Sequence, residues 1–179
     1  MDKEIIKRSQ KMSNLYIITG PAGVGKSTIS KKIAESKKKS ALIEGDEIYH
    51  QVVGGYVQAW KEGNHLETFW KVCINTIKTY LEDGYDVVFN YIVTPTPLEI
   101  MKEEFEDYSI KFVVLLVDEK TLLLRDKERP EDYQMKERCI TLLNSFKNNN
   151  YNNQNILDTT NLSIDETVDI IENNNRFIL

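Results

Sequence analysis

The chain contains few of the residues that cross-link a fold or carry it into a membrane. Its 179 residues include two cysteines, 8 glycines and 4 prolines. Cys73 and Cys139 lie far apart and form no C-x-x-C pair, so we expect two reduced, buried thiols and neither a disulfide framework nor a zinc site. No apolar run approaches the ~18 residues that span a bilayer, and residues 1–13 lack the hydrophobic segment of a signal peptide. We therefore predict a cytoplasmic protein without a membrane segment.

The chain also lacks an excess of positive charge. It has 23 lysines and arginines against 28 aspartates and glutamates, a net charge of −5. Nucleic acids and membrane surfaces are anionic, so general binding to either is disfavoured. The hydrophobic fraction of 41% and the charged fraction of 28% are ordinary for a globular protein. We expect a polar leader at residues 1–13 and a single domain at residues 14–179.

The most specific pattern in the chain is a glycine-rich segment at residues 20–28. It matches G-x-x-x-x-G-K-[ST] between an apolar run and a helical pattern, the context in which this motif binds phosphate. Its glycines allow successive N–H groups to surround an anion at a helix N-terminus. Lys26 would reach the outer phosphates and the Ser27 hydroxyl would hold Mg²⁺. A glycine turn before an ordinary helix is the alternative. The nucleotide-binding residues predicted here are Gly20, Pro21, Ala22, Gly23, Val24, Gly25, Lys26, Ser27 and Thr28.

Apolar runs of strand length alternate with helical patterns along the rest of the chain. We expect strands at about 15–19, 41–43, 87–93, 110–117 and 155–158. We expect helices over 26–36 and 66–81, after 96, over 118–130 and 132–147, after 163, and as two bent pieces within 48–61. Capping signals mark three helix starts, at Asn64 with Glu67, at Thr96-Pro97-Leu98-Glu99, and at Ser163 with Glu166. The asparagine-rich stretch 148–153 is expected to be a solvated loop. This alternation predicts an α/β fold, a parallel sheet with helices on both faces.

Two acidic residues end the second predicted strand, Glu44 and Asp46. Parallel sheets bind ligands at the carboxyl ends of their strands, so both carboxylates belong beside the phosphate loop. Asp46 is our candidate for the base that takes the proton of an attacking hydroxyl. The alternative is that Asp46 only caps a helix beginning at Glu47. Glu44 either holds a water on Mg²⁺ or simply ends the strand.

Arginines supply the third candidate feature. Arg125 and Arg129 are one helical turn apart on one face, and Arg138 follows further along. Guanidinium groups over a phosphate chain stabilise the charge of phosphoryl transfer. A solvated helix face is the alternative for each of them.

Together these elements resemble the P-loop small-molecule kinases of the adenylate-kinase-like group, across about residues 14–173. Gluconate kinase, shikimate kinase, chloramphenicol phosphotransferase and the zeta-toxin kinases are the nearest in pattern. Small GTPases are excluded because the D-x-x-G and N-K-x-D motifs do not occur in suitable context, and RecA-like or AAA-type machines are usually longer. Residues 20–28 look like the family's Walker A loop, Glu44-Gly45-Asp46 resembles its acidic acceptor-side motif, and Arg125 and Arg129 resemble its lid arginines.

The resemblance carries further expectations. It implies a three-layer P-loop NTPase fold with a five-stranded parallel sheet in the order 2-3-1-4-5 and a small lid at about 125–135. It implies ATP and Mg²⁺ as cosubstrates, and segment 157–161 along the adenine, with Thr160 as a nucleotide contact. Two departures stand out. Glu44 occupies a position where several relatives have Asp, and Asn90 ends the third strand without an acid.

In this group the acceptor is enclosed by the segment after the second strand, here about 47–70. The segment holds aromatic and hydrogen-bonding side chains but no arginine cluster, which favours a nucleoside, a sugar or an antibiotic over a highly charged acceptor. Trp60 and Trp70 also fit a core-facing pattern. We expect an ATP-dependent kinase acting on a hydroxyl of a small molecule, as a monomer or homodimer. A non-catalytic nucleotide-binding regulator and a toxin or nucleic-acid-end kinase are the alternatives.

Overall fold

Five parallel strands form one sheet in the computed structural model, which describes residues 13–61 and 63–179. The strands are β1 (Asn14–Thr19), β2 (Ser40–Glu44), β3 (Asp86–Asn90), β4 (Ser109–Leu116) and β5 (Ile156–Asp158). Their order is β2-β3-β1-β4-β5, which confirms the predicted topology. The expected leader lies outside the described residues except for Ser13, which is buried and donates its hydroxyl to the Leu81 carbonyl.

Seven α-helices cover the sheet in the described parts of the chain. They are α1 (Lys26–Ser36), α2 (Gly45–Tyr49), α3 (His65–Glu82), α4 (Pro95–Glu104), α5 (Glu119–Lys127), α6 (Glu137–Asn148) and α7 (Ile164–Asn173). Because side chains alternate along a strand, Leu15 and Ile17 of β1 pack with α3 and α4, whereas Tyr16 and Ile18 pack with α1, α6 and α7. Two apolar cores therefore flank the sheet, as a three-layer fold requires. None of these helices combines the length and apolarity needed to cross a bilayer.

Several expected element ends are confirmed. Asp118 caps α5 by accepting a hydrogen bond from the backbone N–H of Thr121 at 2.7 Å. Ser163 and Glu166 form the predicted capping box at the start of α7. Both cysteines are free and buried, as expected.

Two predicted boundaries are wrong by two or three residues. Strand β3 ends at Asn90 rather than continuing to Val93, because the backbone N–H of Val93 donates to the Thr19 hydroxyl at 2.9 Å instead of a neighbouring strand. Helix α4 begins at Pro95 with Thr94 as its N-cap, not at Thr96 and Pro97. The sequence Thr-Pro-Thr-Pro carries the same start signal twice, and the chain uses the first copy.

The predicted second helical piece within 48–61 is also wrong. Helix α2 ends at Tyr49, and the described residues from 50 to the start of α3 form turns and loops. Gly55 adopts a positive φ of 71°, and Val53 is 93% exposed, so no helix is formed to bury the apolar residues of this segment. Asn64 does precede α3, but its side chain makes no capping bond, so the predicted capping box is absent there.

Helix α6 begins at Glu137, later than the predicted 132, after a short 3₁₀ turn at Glu131–Tyr133. The asparagine-rich stretch that follows α6 is only partly the expected solvated loop. Tyr151 is buried and donates its hydroxyl to the Val93 carbonyl at 3.0 Å. A nearby polar side chain, Asn155, is buried as well.

Short segments complete the outer edge of β4, because β5 pairs only with its last three residues. The Asn155 amide donates to the Phe112 carbonyl at 3.1 Å, and the Leu179 N–H donates to the Ile110 carbonyl at 3.0 Å. Between them, Lys111 forms an antiparallel bridge with Ile178. Other segments of the same chain therefore supply hydrogen-bond partners along this edge of β4.

Candidate functional site

The glycine-rich loop lies between β1 and α1, at the carboxyl edge of the sheet. A Cβ at Gly20 would overlap the Leu115 carbonyl oxygen, so only glycine lets the loop pass this close to β4. Gly25 has a φ of 105° and stands at the N-cap of α1. Because glycine has no side chain with which to cap a helix, the first N–H groups of α1 remain available to an anion. The loop has the geometry of a phosphate cradle.

Lys26 folds back over this loop. Its Nζ donates to the carbonyls of Gly20 and Pro21, both at 3.0 Å. Burial lowers the pKa of Lys26 to about 8, an effect opposed by the charges of Asp46 and Glu44 and reinforced by that of Arg129. The ammonium is partly withdrawn from water and is held by neutral carbonyls, so a phosphate would be a strong partner for it.

Ser27, Glu44 and Asn90 form a hydrogen-bonded group beside the loop. Ser27 Oγ donates to Glu44 Oε2 at 3.4 Å, while the Asn90 amide donates to Ser27 Oγ at 3.0 Å and also to Glu44. Glu44 and Asn90 are register partners on β2 and β3. A carboxylate from β2 and an amide from β3 therefore contact the same serine. Burial raises the pKa of Glu44, and hydrogen bonds from Asn90 and Ser27 oppose that rise.

The donor chemistry of this group suits Mg²⁺. Magnesium prefers oxygen ligands and is usually held by one or two carboxylates together with the phosphates of its nucleotide. Ser27 and Glu44 provide a hydroxyl and a carboxylate at the mouth of the phosphate cradle. Among the described residues there is no cluster of three or more His, Cys, Asp or Glu side chains that could hold a metal ion.

Asp46 stands in the first turn of α2 with an exposed carboxylate that lines the main cavity. Helix α2 begins at Gly45 with Glu44 as its N-cap, so the alternative in which Asp46 caps a helix starting at Glu47 is wrong. A Cβ at Gly45 would lie 2.5 Å from the Tyr91 ring. The close approach of that ring to the backbone fixes the position of the two acids that flank Gly45.

Arg125 and Arg129 both line the same cavity, but their contacts differ. Arg125 Nη1 donates to the Val24 carbonyl at 2.8 Å, and its Nη2 donates to the Thr159 carbonyl at 3.3 Å. Arg125 thus joins α5 to the phosphate loop. Arg129 instead pairs with Asp126 at 3.4 Å, and its side chain lines the cavity.

Asp126 is a site residue that the sequence did not reveal. Its buried carboxylate accepts the backbone N–H groups of Met135, at 3.0 and 3.1 Å, and of Lys136, at 2.7 Å. Burial alone would raise the pKa of Asp126, but these hydrogen bonds and the Arg129 charge outweigh it and lower the pKa. The carboxylate closes the loop between α5 and α6, which explains the late start of α6. From sequence, an acid in a polar helix is indistinguishable from a solvated one.

The main cavity has a volume of about 870 Å³ and runs from the phosphate loop to the segment before α3. Trp60, Trp70 and Arg138 line its far end, with the Arg138 guanidinium 3.6 Å from the centre of the Trp60 ring. From the segment after β5, Thr159 lines the cavity, whereas the Thr160 hydroxyl accepts the Asp118 backbone N–H at 2.9 Å. A second cavity of about 310 Å³ lies between α2, the following loop and α3.

The strand order and the phosphate loop define an α/β P-loop fold. No family model and no curated protein matches the sequence. Solved structures do resemble it. The tunicamycin resistance protein of Deinococcus radiodurans is 16% identical with a TM-score of 0.65, covering 90% of this chain and 94% of that one. The gluconokinase of Sinorhizobium meliloti 1021 gives the same identity and score, with 90% of each chain covered.

A third similar structure is a chain of the Pnkp1/Rnl/Hen1 RNA repair complex. It is 19% identical with a TM-score of 0.61, and the match covers 79% of this chain and 47% of that one. At these identities the likeness shows the fold alone. That fold is the one predicted from the resemblance to P-loop kinases.

Proposed function

We propose that the protein is an ATP-dependent kinase that transfers the γ-phosphoryl group of ATP to a hydroxyl of a small organic molecule. The observation that carries the proposal is that one cavity is lined by Asp46, Lys26, Arg125 and Arg129. These residues supply a carboxylate on the acceptor side and three cations on the phosphate side. Phosphoryl transfer requires that combination of positioned base and positive charge.

Each residue has a role in this reaction. A bond forms between the acceptor oxygen and the γ-phosphorus as the bond to the leaving ADP oxygen breaks. Asp46 takes the proton that the hydroxyl releases. Lys26 and Arg129 stabilise the charge on the transferring group, and Arg125 holds the loop that carries it. Mg²⁺, held by Ser27 and Glu44, would neutralise charge on the outer phosphates.

The Ser27–Glu44 contact supports an active enzyme over a non-catalytic regulator. The regulator alternative rests on the absence of an acid at Asn90, and Glu44 offers a carboxylate to the same serine from the next strand. We include a cytoplasmic location and a monomeric or homodimeric state in the proposal.

A kinase for nucleic-acid ends is the second candidate, favoured by the likeness to a chain of an RNA repair complex. The net charge of −5 weighs against it, because an oligonucleotide is a polyanion.

An acceptor screen tests the proposal. ADP release is measured with ATP and Mg²⁺ against a library of hydroxyl compounds and of oligonucleotides with 5′-hydroxyl ends. Saturable, acceptor-dependent ADP release supports the kinase, and the arm that responds separates its two forms. Tight ATP binding without acceptor-dependent release across the library would support the regulator instead.

A further inference from the structure

The far end of the main cavity has a composition that is unusual for a site that binds a polyol. Its wall is built from six apolar or aromatic side chains, Ala59, Trp60, Leu66, Trp70, Ile92 and Pro97. Beyond the reacting carboxylate of Asp46, the polar side chains that line the cavity beside this wall are Asn90, Tyr91, Thr94 and Arg138, fewer than its apolar ones. A sugar or sugar acid would bring several hydroxyls to it. Each hydroxyl that loses water without gaining a partner is unfavourable, so this wall disfavours such acceptors.

The two tryptophans differ in a way that points to a ligand. Trp70 is held in the core by edge contacts with Phe89 and Tyr91, at centroid distances of 6.3 and 5.6 Å. Trp60 lies in a loop and is 62% exposed, although it lines the cavity. A large aromatic side chain left exposed at the mouth of a cavity provides a surface on which a planar ring can stack.

Arg138 adds hydrogen-bonding capacity at the same place. Its guanidinium lies 3.6 Å from the centre of the Trp60 ring, and among the described residues it donates no side-chain hydrogen bond. Its position over Trp60 holds the guanidinium at the cavity, and the side chain is exposed, so a ligand can take its N–H donors from water. They suit carbonyl oxygens on the edge of a planar ring.

Resting on the proposed kinase function, we propose that the acceptor is a free nucleoside. Its base packs against Trp60 and the apolar wall, a base carbonyl accepts from Arg138, and a ribose hydroxyl faces Asp46. The base supplies a flat ring with carbonyl oxygens, and the absence of phosphate on a free nucleoside fits a wall with a single cation. The reaction consumes ATP and yields a nucleoside monophosphate and ADP.

Intrinsic fluorescence gives a direct binding test, since the only two tryptophans of the sequence both line this cavity. Uridine and guanosine are titrated in the presence of a non-hydrolysable ATP analogue, with glucose and gluconate as comparison ligands. We expect saturable quenching by a nucleoside and none by the polyols. The quenching should persist in Trp70→Phe and be largely lost in Trp60→Phe, which assigns it to the loop tryptophan.

Kinetics on the same panel complete the test. Trp60→Ala should raise the KM for the nucleoside by about tenfold, as expected for loss of a base–aromatic stack, with kcat changed less than threefold. Trp60→Tyr should restore most of the loss, and Arg138→Met should also raise KM. Tyr80→Ala removes an exposed aromatic on α3 away from the cavity and should leave KM unchanged.

The outcomes separate this inference from the kinase proposal. Turnover of polyols without nucleoside quenching overturns the nucleoside inference and leaves the kinase intact. Nucleoside quenching at Trp60 without any acceptor-dependent ADP release supports the binding site and overturns the kinase. Phosphorylation of 5′-hydroxyl oligonucleotides alone, with no binding of free nucleosides, overturns the nucleoside inference in favour of a nucleic-acid end.

Discussion

The carboxylate of Asp126 accepts the backbone N–H of Lys136 at 2.7 Å, so the last turn of α5 is tied directly to the residue that precedes α6. Lys136 has a φ of 52°, an unfavourable backbone conformation for a residue with a side chain. The buried carboxylate holds it there. The same carboxylate pairs with Arg129, so one side chain both closes the loop between α5 and α6 and orients a cavity-lining arginine.

Asp126→Asn should therefore lower both the stability of the protein and its catalytic rate. The asparagine side chain would present an amide group to a backbone N–H that now donates to a carboxylate. The loss of a buried hydrogen bond to a charged group should lower the free energy of unfolding by about 1.5–3 kcal/mol. Urea unfolding measures that loss, and kcat should fall because Arg129 loses its partner. Asp132→Asn, an exposed acid in the same loop, is the matched control. Unchanged unfolding in Asp126→Asn would contradict the anchoring role.

The stabilising contribution of Asp126 should also depend on pH. Its pKa in the folded protein lies below its ordinary value of about 3.9, so it stabilises the fold above that value. The contribution is lost as the pH falls through the lower, folded pKa. The difference in unfolding free energy between the wild type and Asp126→Asn should accordingly shrink below pH ~4. A difference that stays constant into that acidic range would show that the carboxylate charge is not what stabilises the loop.

Lys26 should make nucleotide affinity depend on pH in the alkaline range. With a pKa of about 8, the free enzyme loses this positive charge as the pH rises above 8, so ATP must then bind with uptake of a proton. Calorimetry or a fluorescent ATP analogue should show affinity falling above that pH.

Lys26→Ala should nearly abolish turnover with an unchanged circular dichroism spectrum. Full turnover in that variant would show that the phosphate loop works in another way.

Asp46→Asn tests the acid–base role while keeping the side-chain shape. We expect turnover to fall roughly 10²–10⁴-fold, the usual contribution of a general base, with ATP affinity near wild type. Glu47→Gln, the neighbouring exposed carboxylate, is the control and should keep its activity. Wild-type turnover of the true acceptor by Asp46→Asn would remove the catalytic role.

Glu44 and Asn90 allow the carboxylate to be moved between strands. Glu44→Gln should raise the Mg²⁺ concentration needed for half-maximal activity by about tenfold or more. Because the two residues are register partners, adding Asn90→Asp should return a carboxylate to Ser27 from β3 and recover part of that loss. Magnesium titrations of the single and double variants measure this. An unaltered magnesium requirement in Glu44→Gln would contradict the metal role.

Arg125 and Arg129 should behave differently when replaced by alanine. Arg129→Ala should lower kcat by roughly 10²-fold with little change in ATP affinity, since the cavity-lining guanidinium is expected to stabilise charge mainly in the transition state. Arg125→Ala should also destabilise the fold, because its guanidinium joins α5 to the carbonyls of Val24 and Thr159. Thermal unfolding and kinetics of both variants separate the roles. Equal losses of stability would contradict the distinction.

The parts of the site that the sequence predicts are those set by short-range pattern. Residues 20–25 form the expected loop and residues 26–28 open the expected helix, because a glycine-rich turn between a strand and a helix is a local structure. Glu44 and Asp46 could be placed beside this loop because parallel strands end at a shared edge of the sheet. The same reasoning could have placed Glu44 beside Asn90, since the implied strand order makes β2 and β3 neighbours.

Contacts that depend on the path of a loop could not be predicted. Asp126 gains its importance from the backbone of residues nine and ten positions later, which no periodicity reveals. Trp60 contacts Arg138 from a segment whose four-residue apolar rhythm wrongly predicted a second helical piece. There the flexible pair Gly54-Gly55 prevailed over the pattern, and the apolar side chains stayed exposed.

The outer edge of β4 has a further consequence for how the molecule behaves in a crowded solution. An open strand edge is a template on which another chain can add a strand, the first step of aggregation. Here the carbonyls of Ile110 and Phe112 already accept hydrogen bonds from Leu179 and Asn155. These partners are tethered to the strand they cover, so their effective concentration exceeds that of any diffusing competitor. A β5 of three residues is therefore enough to protect β4 from strand addition, because other segments of the same chain hydrogen-bond the edge beyond it.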